Sequence, residues 1–223
     1  MFGASGGIGN ALAERLRADS RFSTVIELSR ASDPAFDLTD ENSIAEAAAN
    51  IARSGNDIRL AIVATGALDR QGCSAEKSWR QIDPVAMAKS FAINTIGPAL
   101  LMKHFLPLLP RSGRSVFAAL SARVGSIGDN RLGGWYSYRA AKAALNQVVH
   151  TASIELQRSR PQAICVALHP GTVDTGLTAG FAKSGLEVQT PEAAAGRIIA
   201  VIDALQPSDS GRFFDQRGTT ISW

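Results

Sequence analysis

The chain has 223 residues, 45% of them hydrophobic, enough to bury a sizeable core in one domain over 1–223. Its 23 Lys and Arg against 20 Asp and Glu leave a net charge of +3, and the basic residues are scattered, which argues against a nucleic-acid stripe. No run of about 18 apolar residues marks a membrane span, and Cys73 and Cys165 are too isolated to indicate a disulfide framework or a zinc site.

The reading is therefore of a soluble protein in a reducing cytoplasm, without the basic-then-apolar start of an export signal. In chain order, Gly3-Ala4-Ser5-Gly6-Gly7-Ile8-Gly9 comes first and leads into a helix over 10–19 that carries Leu12, Ala13 and Leu16 at helical spacing. Glycines there let backbone N–H groups approach a pyrophosphate at the positive end of the helix, although an ordinary Gly-rich loop reads the same. Such a loop should follow a central strand, yet only Met1 and Phe2 precede it, fewer than the five or six residues of a usual strand. Either the natural chain begins upstream of Met1 or the domain lacks that strand.

A short buried strand is expected over 24–28, then an Ala-rich helix opened by Thr39-Asp40-Glu41 and an apolar strand over 60–64. A long helical region over 84–109, a strand over 115–120, a helix over 135–158 and a strand over 163–168 continue the alternation. A helix over 191–205 and a short strand over 212–214 close it. The strands are nearly continuous apolar runs, so the predicted fold is α/β: a Rossmann-like doubly wound parallel sheet with helices on both faces and a truncated first strand.

Tyr138 and Lys142 stand four residues apart on the helix over 135–158 and share one face. A cation beside a phenol favours the phenolate and lowers its pKa from about 10, which makes a general acid/base; on an exposed face the same pair would simply be solvated. His104, His150 and His169 have no metal-like spacing, and no metal site is expected.

Taken together, the Gly3/Gly7/Gly9 loop, Asp37, Asn94 in Phe-Ala-Ile-Asn-Thr-Ile-Gly, Tyr138 with Lys142, and Pro170-Gly171-Thr172-Val173-Asp174-Thr175 resemble the short-chain dehydrogenase/reductase family over nearly the whole chain. Val124-Gly-Ser-Ile-Gly-Asp-Asn, Gly133-Gly134, Tyr136-Ser-Tyr-Arg, Leu168-His-Pro-Gly, Ser210-Gly-Arg-Phe-Phe-Asp and the terminal Trp223 are most similar to its C-factor and sniffer-type carbonyl reductase branch.

The resemblance implies that Tyr138 exchanges a proton with the substrate oxygen, and that Lys142 lowers the Tyr pKa and holds the nicotinamide ribose. It further implies that Asn94 binds a water linking Lys142 to solvent and that Asp37 accepts from the adenine amino group. Asn94 could equally kink a long helix, and Asp37 could precede a helix N-cap. Ser5, Ile8, Leu38, Ala64, Thr65, Gly66, Val173 and Thr175 complete the implied cofactor contacts. The long helices over 84–109 and 135–158 are faces through which the family often forms homo-oligomers.

Two positions depart from the family pattern. Val63-Ala64-Thr65-Gly66 keeps only the glycine of the usual Asn-Asn-Ala-Gly element. The catalytic serine, normally second in a Ser-Ser pair, is replaced by Ala122, and losing such a donor can lower the rate about 10²–10³-fold. Ser121 or Ser126 could compensate, or both could simply satisfy loop hydrogen bonds.

Ser29 and Arg30 end the second strand with no carboxylate to repel a 2′-phosphate, so NADP is favoured over NAD. The segment over 172–190, with Gly176, Leu177, Gly180, Phe181, Ala182 and Leu186, reads as a small apolar lid suited to an uncharged carbonyl or alcohol. The alternative is a nucleotide-binding signalling protein of C-factor type with little catalysis.

Overall fold

The structure, a computed structural model, describes residues 1–69, 72, 75–178 and 187–223. Its elements in chain order are α1 (Gly7–Arg17), α2 (Glu41–Arg53), β1 (Leu60–Val63), α3 (Pro84–Phe91), α4 (Gly97–Phe105), β2 (Ser115–Leu120), α5 (Tyr136–Ser159), β3 (Ala163–Leu168), β4 (Thr172–Val173), β5 (Val188–Gln189), α6 (Pro191–Ala204) and β6 (Phe213–Phe214). The main sheet runs β1-β2-β3-β6, every pair parallel, and β4 with β5 forms a separate small ladder.

β2 and β3 are buried at every position, as uninterrupted apolar runs require when both faces of a sheet are covered. The two-residue period of a strand sends alternate side chains to opposite layers. Phe117, Ala119, Cys165 and Ala167 face α2, α4 and α5, where they meet Ile44, Leu101, Phe105 and Leu145. Val116, Ala118, Ile164 and Val166 face α1 and α6, where they meet Leu12, Leu16, Ile198 and Ile202. The doubly wound α/β architecture expected from the sequence is the one observed.

Phe2 occupies the position of a central strand. Its N–H donates to Ile62 O at 2.9 Å, its carbonyl accepts from Ala64 N at 2.9 Å, and it bridges both Leu28 and Val63 in parallel. Its ring is 2% exposed and stands edge-on to Phe105 at 4.7 Å. The strand expected over 24–28 is corrected to a single bridge at Leu28. A strand needs a ladder along its length, and among the described residues the segment makes only scattered bonds to the chain start, Met1 N donating to Ile26 O at 2.7 Å, Leu28 N to Met1 O at 2.9 Å and Gly3 N to Leu28 O at 2.8 Å. Met1 and Phe2, with residues of 24–26 and 59–61, line a groove of about 160 Å³.

The helical region expected over 84–109 is present but not uniform. A π turn, Ala92–Ile96, separates α3 from α4, and a 3₁₀ turn, Leu106–Leu108, follows. The span Pro84–Leu108 is apolar and long enough to cross a membrane by length and composition, with mean hydropathy 1.3; here Leu101, Met102 and Phe105 pack into the core beneath the sheet.

Candidate active site

The glycine loop is built by a backbone that no side chain could share. Gly3 has φ +79°, and its N–H donates to Leu28 O at 2.8 Å. A Cβ on Gly9 would lie 2.0 Å from the Gly3 carbonyl oxygen, and one on Gly7 would lie 2.9 Å from Thr175 Cγ2. The loop therefore wraps tightly onto the start of α1, whose first turn has no side-chain cap and no acidic residue. Those open N–H groups, beside exposed Ser5 and half-buried Ile8, form a cradle suited to a phosphate. A Cβ on Gly3 would meet Ala64 C and Thr65 Cγ2 at 3.0 Å, so the loop leaving β1 closes the other side, with Thr65 Oγ1 buried and unpartnered among the described residues.

Tyr138 and Lys142 lie on the inner face of α5, 6% and 2% exposed. Lys142 Nζ donates to Leu120 O, the last carbonyl of β2, at 3.0 Å, and sits 5.8 Å from the Tyr138 ring centroid. Burial lowers the Lys142 ammonium to about 8. It also raises the Tyr138 phenol above its usual value. This corrects the expectation of a depressed phenol: desolvation dominates, and the cation is directed at a carbonyl.

Asn94 belongs to the π turn, a distortion frequent at functional sites. Its Nδ2 donates to Ala67 O at 2.8 Å and to Ser90 Oγ at 3.3 Å, and its Oδ1 accepts from Ala67 N at 3.1 Å. The amide thus clamps the loop after β1, with its donors filled and one Oδ1 lone pair remaining. A Cβ on Gly66 would lie 3.3 Å from Asn94 Oδ1 and 3.9 Å from Lys142 Nζ, so the three positions converge. Thr95 Oγ1 donates to Ala141 O at 2.7 Å, pinning the π turn one residue before Lys142.

At the end of β2, Ser121 Oγ donates to Asn146 Oδ1 at 2.7 Å, and Asn146 Nδ2 donates to Gly125 O at 3.4 Å. Ser126 is 1% exposed, and its Oγ accepts from Asp129 N at 3.2 Å. Ala122, between them and half-buried, offers no hydroxyl.

Among the remaining predicted contacts, Asp37 Oδ1 accepts from Thr39 N and Oγ1, both at 2.8 Å, which holds its carboxyl below the usual range. Leu38 is buried; a Cβ on Gly97 would lie 2.4 Å from its Cγ. Ser29 O accepts from Ser32 and Phe36 N–H, Ser29 Oγ accepts from Ala31 N, and Arg30 is exposed. Gly171 has φ +81° after Pro170, whose carbonyl accepts from Gln189 Nε2 at 2.8 Å, and Val173 is buried in β4. Cys73 and the expected lid residues Gly180, Phe181, Ala182 and Leu186 lie outside the described residues. Among the described residues no cluster of His, Cys, Asp and Glu could hold a metal.

Two buried groups escaped the sequence reading. Asn146 continues the four-residue spacing of Tyr138 and Lys142 and was legible by extending it. Glu76, 1% exposed, reaches the first turn of α5 from 61 residues away, and no local pattern reveals it.

A family model described as enoyl-(acyl carrier protein) reductase matches residues 3–204. The chain is 38% identical over 143 residues to C-signal of Myxococcus xanthus, covering 64% of this chain and 81% of that protein. It is 34% identical over 193 residues to 1-hydroxy-2-glutathionyl-2-methyl-3-butene dehydrogenase of Rhodococcus sp. (strain AD45), covering 86% and 80%. The NADPH-bound carbonyl reductase from chicken fatty liver is similar in structure with TM-score 0.84 at 26% identity, covering 100% of this chain and 97% of that one. Carbonyl reductase Sniffer of D. melanogaster shares the fold with TM-score 0.84 at 22% identity and the same coverage.

Proposed function

The chain belongs to the short-chain dehydrogenase/reductase family, in its C-signal and sniffer-type carbonyl reductase branch, and we propose that it transfers hydride between NADP(H) and a small uncharged carbonyl or alcohol. The observation that carries this reading is the burial of Tyr138 and Lys142 together on one face of α5, at the carboxyl end of the sheet and beside Gly66.

The residues present fit the dinucleotide. Gly7, Gly9 and the uncapped start of α1 would take its pyrophosphate, Asp37 and Leu38 its adenine end, and Ala64, Thr65, Val173 and Thr175 would flank its length. Ser29 and Arg30 would meet a 2′-phosphate; having no carboxylate at these two positions just after the Leu28 bridge favours NADP over NAD. The bound nicotinamide supplies or accepts the hydride.

The phenol of Tyr138, kept protonated by burial, is a proton donor to the carbonyl oxygen that becomes an alkoxide. Lys142 holds a positive charge near it below about pH 8. Asn94 fixes the loop after β1 through Ala67, which keeps Gly66 against Lys142. With Ala122 in place of the usual serine, the polarising hydroxyl is best supplied by Ser126. Ser121 directs its proton at Asn146, whereas no acceptor takes the Ser126 proton among the described residues.

A second reading, a nucleotide-binding signalling protein with little turnover, is supported by Ala122 and by the likeness to C-signal. Titration with NADPH and NADH, followed by assay of a panel of uncharged aldehydes and ketones, separates the two. Preferential NADPH binding with turnover is expected. Cofactor binding with no turnover on any member would favour the signalling reading, and tighter NADH binding would overturn the cofactor assignment.

A further inference from the structure

Tyr138 is the third residue of α5, within the turn where a helix frays most readily. The N-cap residue, Trp135, is left-handed at φ 53° and ψ 42°, carries no side-chain cap, and the first turn contains no acidic residue. The missing cap is supplied by a distant segment. Glu76 Oε1 and Oε2 accept from Ser137 N at 3.3 and 3.2 Å, Glu76 Oε1 accepts from Ser137 Oγ, and Glu76 O accepts from Trp135 N at 2.5 Å. All these contacts use Glu76 oxygens as acceptors, the side-chain oxygens at Ser137 and the main-chain carbonyl at Trp135, which fill donors at the open start of the helix. The apposition is close: Gly134 has φ +67°, and a Cβ there would lie 3.2 Å from Glu76 O. The resulting backbone sets Trp135 edge-on to the Tyr138 ring at 6.4 Å.

We infer that Glu76 is a positioning residue for the reaction: its buried carboxyl group clamps the first turn of α5 and thereby fixes the Tyr138 phenol where proton transfer occurs. This rests on the reading of Tyr138 as the acid/base. The carboxyl group engages both donors of Ser137, the residue next to Tyr138, so its loss would free the backbone and the side chain of that position together.

The test uses the full chain with Glu76→Gln, Glu76→Ala and Ser137→Ala, assayed with NADPH and the uncharged dicarbonyl 9,10-phenanthrenequinone. The expected result is a fall in kcat of about 10- to 100-fold for Glu76→Ala, the scale of a small misplacement of a catalytic group. Glu76→Gln, which retains one acceptor, and Ser137→Ala should fall between it and the parent, with KM for NADPH unchanged. Parent-like kcat in the folded Glu76 variants overturns the inference; if they do not fold, parent-like kcat in Ser137→Ala overturns it. A readout independent of turnover comes from the tyrosines, of which the chain has two. In a Tyr136→Phe background, ultraviolet titration follows Tyr138 alone. Glu76→Ala should let the phenol ionise in the ordinary range near ~10 while the chain remains folded, and an unmoved transition contradicts the clamp. If the parent turns over neither the dicarbonyl nor any member of the carbonyl panel, the assigned reaction is wrong, while the phenol titration still decides whether Glu76 holds Tyr138 in place.

Discussion

Lys142 Nζ donates to the carbonyl oxygen of Leu120 at 3.0 Å, so the ammonium of the α5 helix is anchored on the last residue of β2. That bond ties the helix carrying Tyr138 to the end of the central sheet, and the burial it requires lowers the Lys142 pKa to about 8. The cation proposed to assist the reaction is lost in the mildly alkaline range, well before an exposed lysine would lose its proton. NADPH-dependent reduction should therefore hold a level kcat/KM below about pH 8 and decline above it. A pH–rate profile that stays flat to the ordinary lysine range contradicts this.

The same shift bears on stability. The folded value lies below the unfolded one, so between about 8 and the ordinary ~10.4 the unfolded chain binds more protons, and stability rises with pH across that window. Below it the buried cation opposes folding by on the order of 3 kcal/mol. Urea unfolding of the cofactor-free protein from pH 7 to 10 should show the rise, and Lys142→Met should remove it.

Asn94→Ala should destabilise the fold by about 2–4 kcal/mol, because the Ala67 N–H and carbonyl are left buried without partners. It should also lower activity, since the loop holding Gly66 against Lys142 loses its clamp. Denaturation midpoints together with NADPH turnover check both effects.

Gly9→Ala should abolish NADPH binding or folding outright. The new methyl would sit 2.0 Å from the Gly3 carbonyl oxygen, backbone against backbone, with no flexible side chain to give way. Fluorescence titration with NADPH, alongside circular dichroism, distinguishes the two failures.

Phe2→Ala should destabilise the protein by about 3–5 kcal/mol, the range for truncating a fully buried aromatic ring. Phe2→Leu should recover much of the loss. Chemical denaturation of both variants measures it.

What could be read in the sequence was what neighbours along the chain determine. The apolar runs that became β1, β2 and β3, the glycine loop and the four-residue spacing of Tyr138 and Lys142 are local patterns, and the fold placed them together. The segment over 24–28 reads as a strand from its composition, but pairing requires a ladder, and among the described residues the segment forms a single bridge, Leu28 with Phe2, flanked by isolated bonds to Met1 and Gly3. The phenol shift was read in the wrong direction because sequence shows that a cation is near and does not show how deeply both groups are buried. Glu76 was invisible for a third reason: its partners at Trp135 and Ser137 lie some sixty residues away, across a contact that only the folded chain makes.

The central claim is that Tyr138 performs the proton transfer, and Tyr138→Phe tests it most directly by removing the hydroxyl and leaving the ring. The variant should bind NADPH within about twofold of the parent and lose turnover by at least about 10²-fold. A folded Tyr138→Phe protein that retains most of the parent's activity on the same carbonyl would contradict the mechanism.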